Sequence, residues 1–235
     1  MRVRGLRWLL AALFLAGGAQ AEVQQKIGTF AGLNVTYRVI LPDNYDANRA
    51  YPTVLHFAGG SQNLDIVERS TEADWRANAE KRGYIVISPA SPNGELYFEG
   101  AARIFPAFID HILKSYKVAG GKLHITGHSN GGLSAFHIAS LFPQYFISVT
   151  GYPGLLSPAR EPQLAALKPL CLYMHVGDGD PGWLSGMQSQ YQALRGRGYK
   201  IRFQVEKDQV HRLDTRKDNL ANRLFDELEA ATRGC

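Results

Sequence analysis

The strongest constraint on this chain is an alternation that runs through most of its length. Short apolar runs recur at Thr53 to Phe57, Tyr84 to Ser88, Lys122 to Thr126, Phe146 to Thr150, Cys171 to Val176 and Lys200 to Val205. Strands covered on both faces read as continuous apolar runs of this length. Stretches of helical spacing lie among them, at about Ile66 to Arg82, Ala101 to Tyr116, Gly132 to Leu141, Gln188 to Arg197 and Asn219 to Thr232. Alternating strands and helices imply an α/β fold, a mostly parallel sheet with helices on both faces. An earlier run, Val35 to Leu41, alternates and stops at Pro42-Asp43-Asn44, which predicts an antiparallel edge strand.

The N-terminus reads differently. Arg2, Arg4 and Arg7 flank the start of an apolar run, Trp8 to Ala16, and Ala19-Gln20-Ala21 follows. That order is the pattern of a secretory signal peptide, so cleavage is expected after Ala21, into a secreted or periplasmic setting. The run is short of the roughly 20 residues that span a bilayer. Removing residues 1–21 lowers the formal net charge from +5 to +2, which leaves no strong pull toward nucleic acid or a membrane surface. No linker or repeat divides residues 22–235, and one domain is expected there. Cys171 and Cys235 could pair in an oxidising compartment, or remain a buried strand cysteine and a loose thiol; spacing does not decide. Oligomeric state is not readable.

Gly127-His128-Ser129-Asn130-Gly131 fits G-x-S-x-G between an apolar strand and a helical pattern. A serine on such a tight turn is held in strained geometry with its hydroxyl projecting, and small flanking residues let neighbouring backbone pass. A serine hydroxyl attacks only when a base takes its proton, and the base needs a carboxylate to orient it. Two aspartates leave the Cys171 strand in Gly177-Asp178-Gly179-Asp180; Asp180 is the first choice as acid and Asp178 the fallback. His211 is the expected base, because it follows the last strand and precedes the final helix. His56, His124 and His175 lie in strands, His111 and His137 in helices, and His128 is committed to the turn itself.

Attack on a carbonyl makes an oxyanion, which needs donors fixed in advance. The Asn130 N–H, directly after the nucleophile, is one; Ala58, or else Gly59, is expected to supply the other from His56-Phe57-Ala58-Gly59-Gly60. Trp183, three residues after Asp180, is expected either to wall the acyl group or to pack the following helix.

With these motifs the chain resembles the α/β-hydrolase superfamily. Leu41-Pro42-Asp43-Asn44-Tyr45 and Tyr51-Pro52-Thr53-Val54-Leu55-His56 look like the opening of secreted esterases grouped with polyhydroxybutyrate depolymerases and feruloyl esterases. Phe57 stands where those relatives usually carry glycine. The resemblance implies hydrolysis of a small-molecule or polymeric ester through an acyl-enzyme, without metal or organic cofactor. The short connection from about Leu155 to Leu170 implies no lid domain and an open site. A serine peptidase of the same fold, or a binding protein on a hydrolase scaffold, are the alternatives.

Overall fold

The computed structural model of the protein describes residues 22–235, so the expected leader lies outside the described residues. The sheet has eight strands in the order β1-β2-β4-β3-β5-β6-β7-β8. They are β1 (Val23–Phe30), β2 (Leu33–Ile40), β3 (Thr53–Phe57), β4 (Ile85–Pro89), β5 (Leu123–Gly127), β6 (Phe146–Gly151), β7 (Cys171–Gly177) and β8 (Ile201–Glu206). From β4 to β8 all neighbours are parallel, while β1 and β2 form an antiparallel hairpin whose inner strand pairs with β4.

The Val35 strand is therefore antiparallel as expected, but it is not the edge. That position belongs to β1, whose VQQKIGTF sequence was too polar to stand out; an edge strand with a solvated face tolerates such residues. The helices are α1 (Leu64–Ser70), α2 (Arg76–Arg82), α3 (Phe105–Ser115), α4 (Asn130–Leu141), α5 (Glu161–Ala166), α6 (Pro181–Gly196) and α7 (Leu220–Thr232). One wide π-turn, Thr71–Trp75, joins α1 to α2. The expected helix at Gln188 begins seven residues earlier, at Pro181, because Pro fits the first helical position although Gly182 and Gly186 dilute the pattern. Between β6 and β7 the chain adds only α5, which packs on α4. None of the described helices is long and apolar enough to cross a membrane.

Alternation along each buried strand divides the core into two layers. Leu55, Phe57, Ile85, Ile87, Ile125 and Val149 face α3, α4 and α6, where Phe105, Phe108, Phe136 and Met187 meet them. Val54, Val86 and Ile40 point the other way, onto Trp75 and Ala79 of the α1–α2 segment and Leu224, Phe225 and Leu228 of α7. Tyr84 and Phe225 meet edge to face at 5.0 Å between ring centroids. Both layers exclude water, so the sheet offers chemistry only at its strand ends.

Two features tie α7 to the sheet. Cys171 at the start of β7 is bridged to Cys235, with Cα atoms 6.1 Å apart. Further along β7, His175 lies wholly buried between two carboxylates, Glu206 Oε1 at 2.8 Å and Glu227 Oε2 at 2.9 Å, and Arg223 completes the cluster on Glu206. Burial opposes a charge on His175, but Glu227 and Glu206 outweigh it and hold its pKa up at about 9. Burial likewise opposes the Glu206 carboxylate, and His175 and Arg223 overcome it to bring that pKa down to about 2.

Two predictions follow from these ties. The bridge closes a loop of 64 residues, so the chain-entropy argument puts its contribution near 4 kcal/mol. A Cys171→Ala/Cys235→Ala variant should lose about 2–4 kcal/mol in urea titration at pH 7. For His175 the folded pKa lies above the ordinary 6.5, so its stabilisation is complete below that value and is lost as pH rises through about 9. His175→Gln should accordingly cost about 3 kcal/mol at pH 6, with the gap to wild type narrowing by pH 10.

Candidate active site

The strand ends converge where β5 gives way to α4. Ser129 sits between them at φ 56° and ψ −120°, in the left-handed half of conformational space that L-residues avoid. The flanking glycines are required by contact. A Cβ on Gly127 would overlap the Gly131 carbonyl, and one on Gly131 would overlap the carbonyls of Phe57 and Ala58 at the end of β3. The Ser129 N–H donates to Pro153 O at 2.8 Å and the Gly131 N–H to His128 O at 2.8 Å. Between them the Asn130 N–H makes no backbone hydrogen bond among the described residues, as the first N–H of α4.

Ser129 Oγ lies 2.8 Å from His211 Nε2, and His211 Nδ1 lies 2.7 Å from Asp180 Oδ2. The three side chains expected to act together thus form one hydrogen-bonded chain. Asp180 is mostly covered, with 12% of its side chain exposed, while His211 is 44% exposed and open to an incoming group. Asp178 takes no part in this chain. It accepts the Gln209 N–H at 3.2 Å, and backbone donors of Asp208 and Gln209 hold its pKa below the usual range. It pins the loop that carries His211.

Ala58 and Gly59 lie on the turn leaving β3, and the β3–β5 register, His56 beside Thr126 and Phe57 beside Gly127, brings that turn next to Ser129. Among the described residues neither N–H makes a backbone hydrogen bond, so both are candidate donors. Asn130 Nδ2 donates to Gly60 O at 3.0 Å and fixes the turn from the other side. The Trp183 ring is half-buried on the first turn of α6, with its centroid 5.6 Å from that of His211; it both packs on the core and borders the site.

His128 does more than complete the turn. Its Nε2 lies 3.2 Å from the carbonyl oxygen of His211, a contact that requires a proton on that nitrogen. Burial lowers its pKa to about 4, so the ring is a neutral donor that braces the backbone of His211. Behind it runs a buried polar chain that strand patterning could not reveal. Trp75 Nε1 donates to Tyr152 Oη at 2.9 Å, which lies 3.4 Å from His56 Nδ1, and His56 Nε2 lies 3.0 Å from Ser70 Oγ. Burial brings His56 down to about 3, so this ring too is neutral. Ser70 and Thr215 donate to the two oxygens of Asp74, at 3.4 and 3.1 Å, which ties the π-turn to the loop after His211. Leu213 in that loop is buried against Trp75 and Phe225. Among the described residues no group of three His, Cys, Asp or Glu side chains is placed to hold a metal ion.

Comparison with known proteins agrees with the architecture. No family profile matches the chain. Over 141 residues, 55% of this chain, it is 28% identical to dipeptidyl-peptidase 5 of Porphyromonas gingivalis, covering 20% of that protein. Over 134 residues, 52% of this chain, it is 22% identical to acetylxylan esterase A of Emericella nidulans, covering 43% of it. The chain thus spans under half the length of these curated relatives. Among solved structures, the feruloyl esterase module from Clostridium thermocellum complexed with sinapinate superposes with a TM-score of 0.70 at 14% identity, covering 89% of this chain and 87% of that one. The protein has the α/β-hydrolase fold.

Geometry separates the two aspartates, and kinetics should do the same. Asp180→Asn should lower kcat by about 10³-fold or more, because the histidine loses its orienting charge. Asp178→Asn keeps an acceptor for Gln209 and should cost less than about tenfold. Steady-state ester hydrolysis by the two variants checks the ordering.

Proposed function

We propose that the protein is a secreted carboxylic-ester hydrolase acting through an acyl-enzyme on Ser129. The observation that carries this reading is the unbroken hydrogen-bonded chain from Ser129 through His211 to Asp180 at the strand ends. His211 Nε2 takes the hydroxyl proton as Oγ attacks the ester carbonyl, and Asp180 stabilises the imidazolium. The oxyanion is received by the Asn130 N–H, with Ala58 or Gly59 as partner donor. Collapse of the tetrahedral intermediate passes the proton from His211 to the leaving alcohol. Water then repeats the sequence on the acyl-enzyme and frees Ser129.

Ester rather than peptide hydrolysis is supported by the acetylxylan esterase and the feruloyl esterase module among the relatives. The likeness to a dipeptidyl-peptidase supports a serine peptidase as the second reading, with the same residues in the same roles. Export is supported by the leader pattern and by the disulfide, which persists in oxidising compartments. Trp183 beside His211 supports an apolar wall for the acyl group, in a site that the short β6–β7 connection leaves open.

Ser129→Ala should reduce turnover of 4-nitrophenyl acetate or butyrate by about 10⁴-fold or more with an unchanged melting temperature. Fluorophosphonate labelling of wild type but not of the variant completes the test. Dipeptidyl 4-nitroanilides, cleaved faster than the esters, would favour the peptidase reading instead.

A further inference from the structure

A cleft of about 260 Å³ is lined among others by Gly59, Gly60 and Arg69, and by His128 and Arg212, the chain neighbours of Ser129 and His211. Its lining includes the Gly59-Gly60 turn, expected to receive the oxyanion, and the His128 ring, whose centroid lies 5.4 Å from that of His211. Its volume is below the roughly 300–1,000 Å³ of pockets that enclose drug-sized ligands, which suits one small substituent of a substrate.

The polar groups of its floor are already engaged. Asp74 accepts from Thr215 and Ser70, Ser70 also meets His56, and the Tyr152 hydroxyl accepts from Trp75. Burial raises the Asp74 pKa, with Arg212 and the two hydroxyls opposing the rise. The two arginines are different. Neither Arg69 nor Arg212 makes a side-chain hydrogen bond or an ion pair among the described residues, whereas the neighbouring Arg38, Arg76 and Arg82 each hold a carboxylate. Arg69 reaches the cleft from the last turn of α1, and Arg212 directly follows His211. Two guanidiniums from separate elements, neither hydrogen-bonded to a carboxylate among the described residues, thus border one cleft whose lining includes His128, the residue before Ser129. A guanidinium presents a planar fork of donors matched to an oxyacid, and nothing else on this rim offers free donors of that kind.

We infer that the cleft between Arg69 and Arg212 receives an anionic oxyacid group, carboxylate or phosphate, carried by the ester that Ser129 attacks. The inference rests on the hydrolase reading and adds the substrate class to it. The chemistry is shared by an acidic acyl part and an acidic alcohol part, and matched substrates distinguish them. Phenyl acetate against 4-acetoxybenzoate and 4-acetoxyphenyl phosphate probes the alcohol side; 4-nitrophenyl butyrate against mono-4-nitrophenyl succinate probes the acyl side.

In one of these sets wild type should favour the anionic member in kcat/KM by about tenfold, and an Arg69→Gln/Arg212→Gln variant should cut that ratio about tenfold or more, mainly through KM. Arg202→Gln, which removes the same kind of charge near the opposite end of the sheet, should leave the ratio in place. No anionic preference in either set, or a ratio unchanged in the double variant, overturns the inference. Titration with benzoate and with inorganic phosphate, followed by NMR, separates this failure from that of the hydrolase reading. If no ester is cleaved yet benzoate or phosphate binding weakens in the double variant, the anion site stands and the hydrolase reading falls.

Discussion

The structure depends on one steric condition, that backbone can pass against backbone where β3, β5 and α4 meet. The carbonyls of Phe57 and Ala58 occupy the space a side chain at position 131 would need, and the Gly131 carbonyl does the same at position 127. With that space empty, α4 can start one residue after Ser129 and lie back on the sheet. Its first N–H, that of Asn130, then has no backbone acceptor among the described residues. Any bulk at either glycine would separate helix from strand and dissolve the turn that holds the serine in its strained conformation.

Asp180 and His211 arrive by a different route. Each sits on a loop leaving a parallel strand, so the sheet sets their approach to within a few ångströms and polar contacts complete it. Asp178 holds the loop of His211 at Gln209, His128 holds the His211 carbonyl, and Asp74 holds Thr215 beyond it. Leu213 adds an apolar anchor in the α7 layer. The histidine can therefore be half-exposed and still be held in place, because its constraint comes from backbone and neighbours rather than from burial of the ring.

Much of this was legible in one dimension, for physical reasons. Buried parallel strands must be apolar throughout, so β3 to β8 announced themselves, and the glycines around Ser129 marked the turn. Asp180 and His211 could be chosen because chain order restricts which loops reach the same end of a sheet. The rest depends on partners distant in sequence. The polar edge strand β1 gains its place only by pairing with β2, and the start of α6 was masked by Gly182 and Gly186. Nothing in Gly127-His128-Ser129 shows what the His128 ring meets. The Cys171–Cys235 pairing and the adjacency of Arg69 to Arg212 exist only once α1, α7 and the sheet have packed.

The bracing of the His211 loop also bears on how the molecule fails. Its contacts come from Asp178 just after β7, from His128 just before α4 and from the π-turn, and Leu213 belongs to the same apolar layer as Trp75 and Phe225. Withdrawing the histidine therefore strains contacts to three neighbouring segments and the apolar layer that Leu213 joins. The reactive end of the protein and its interior thus form a single cooperative unit.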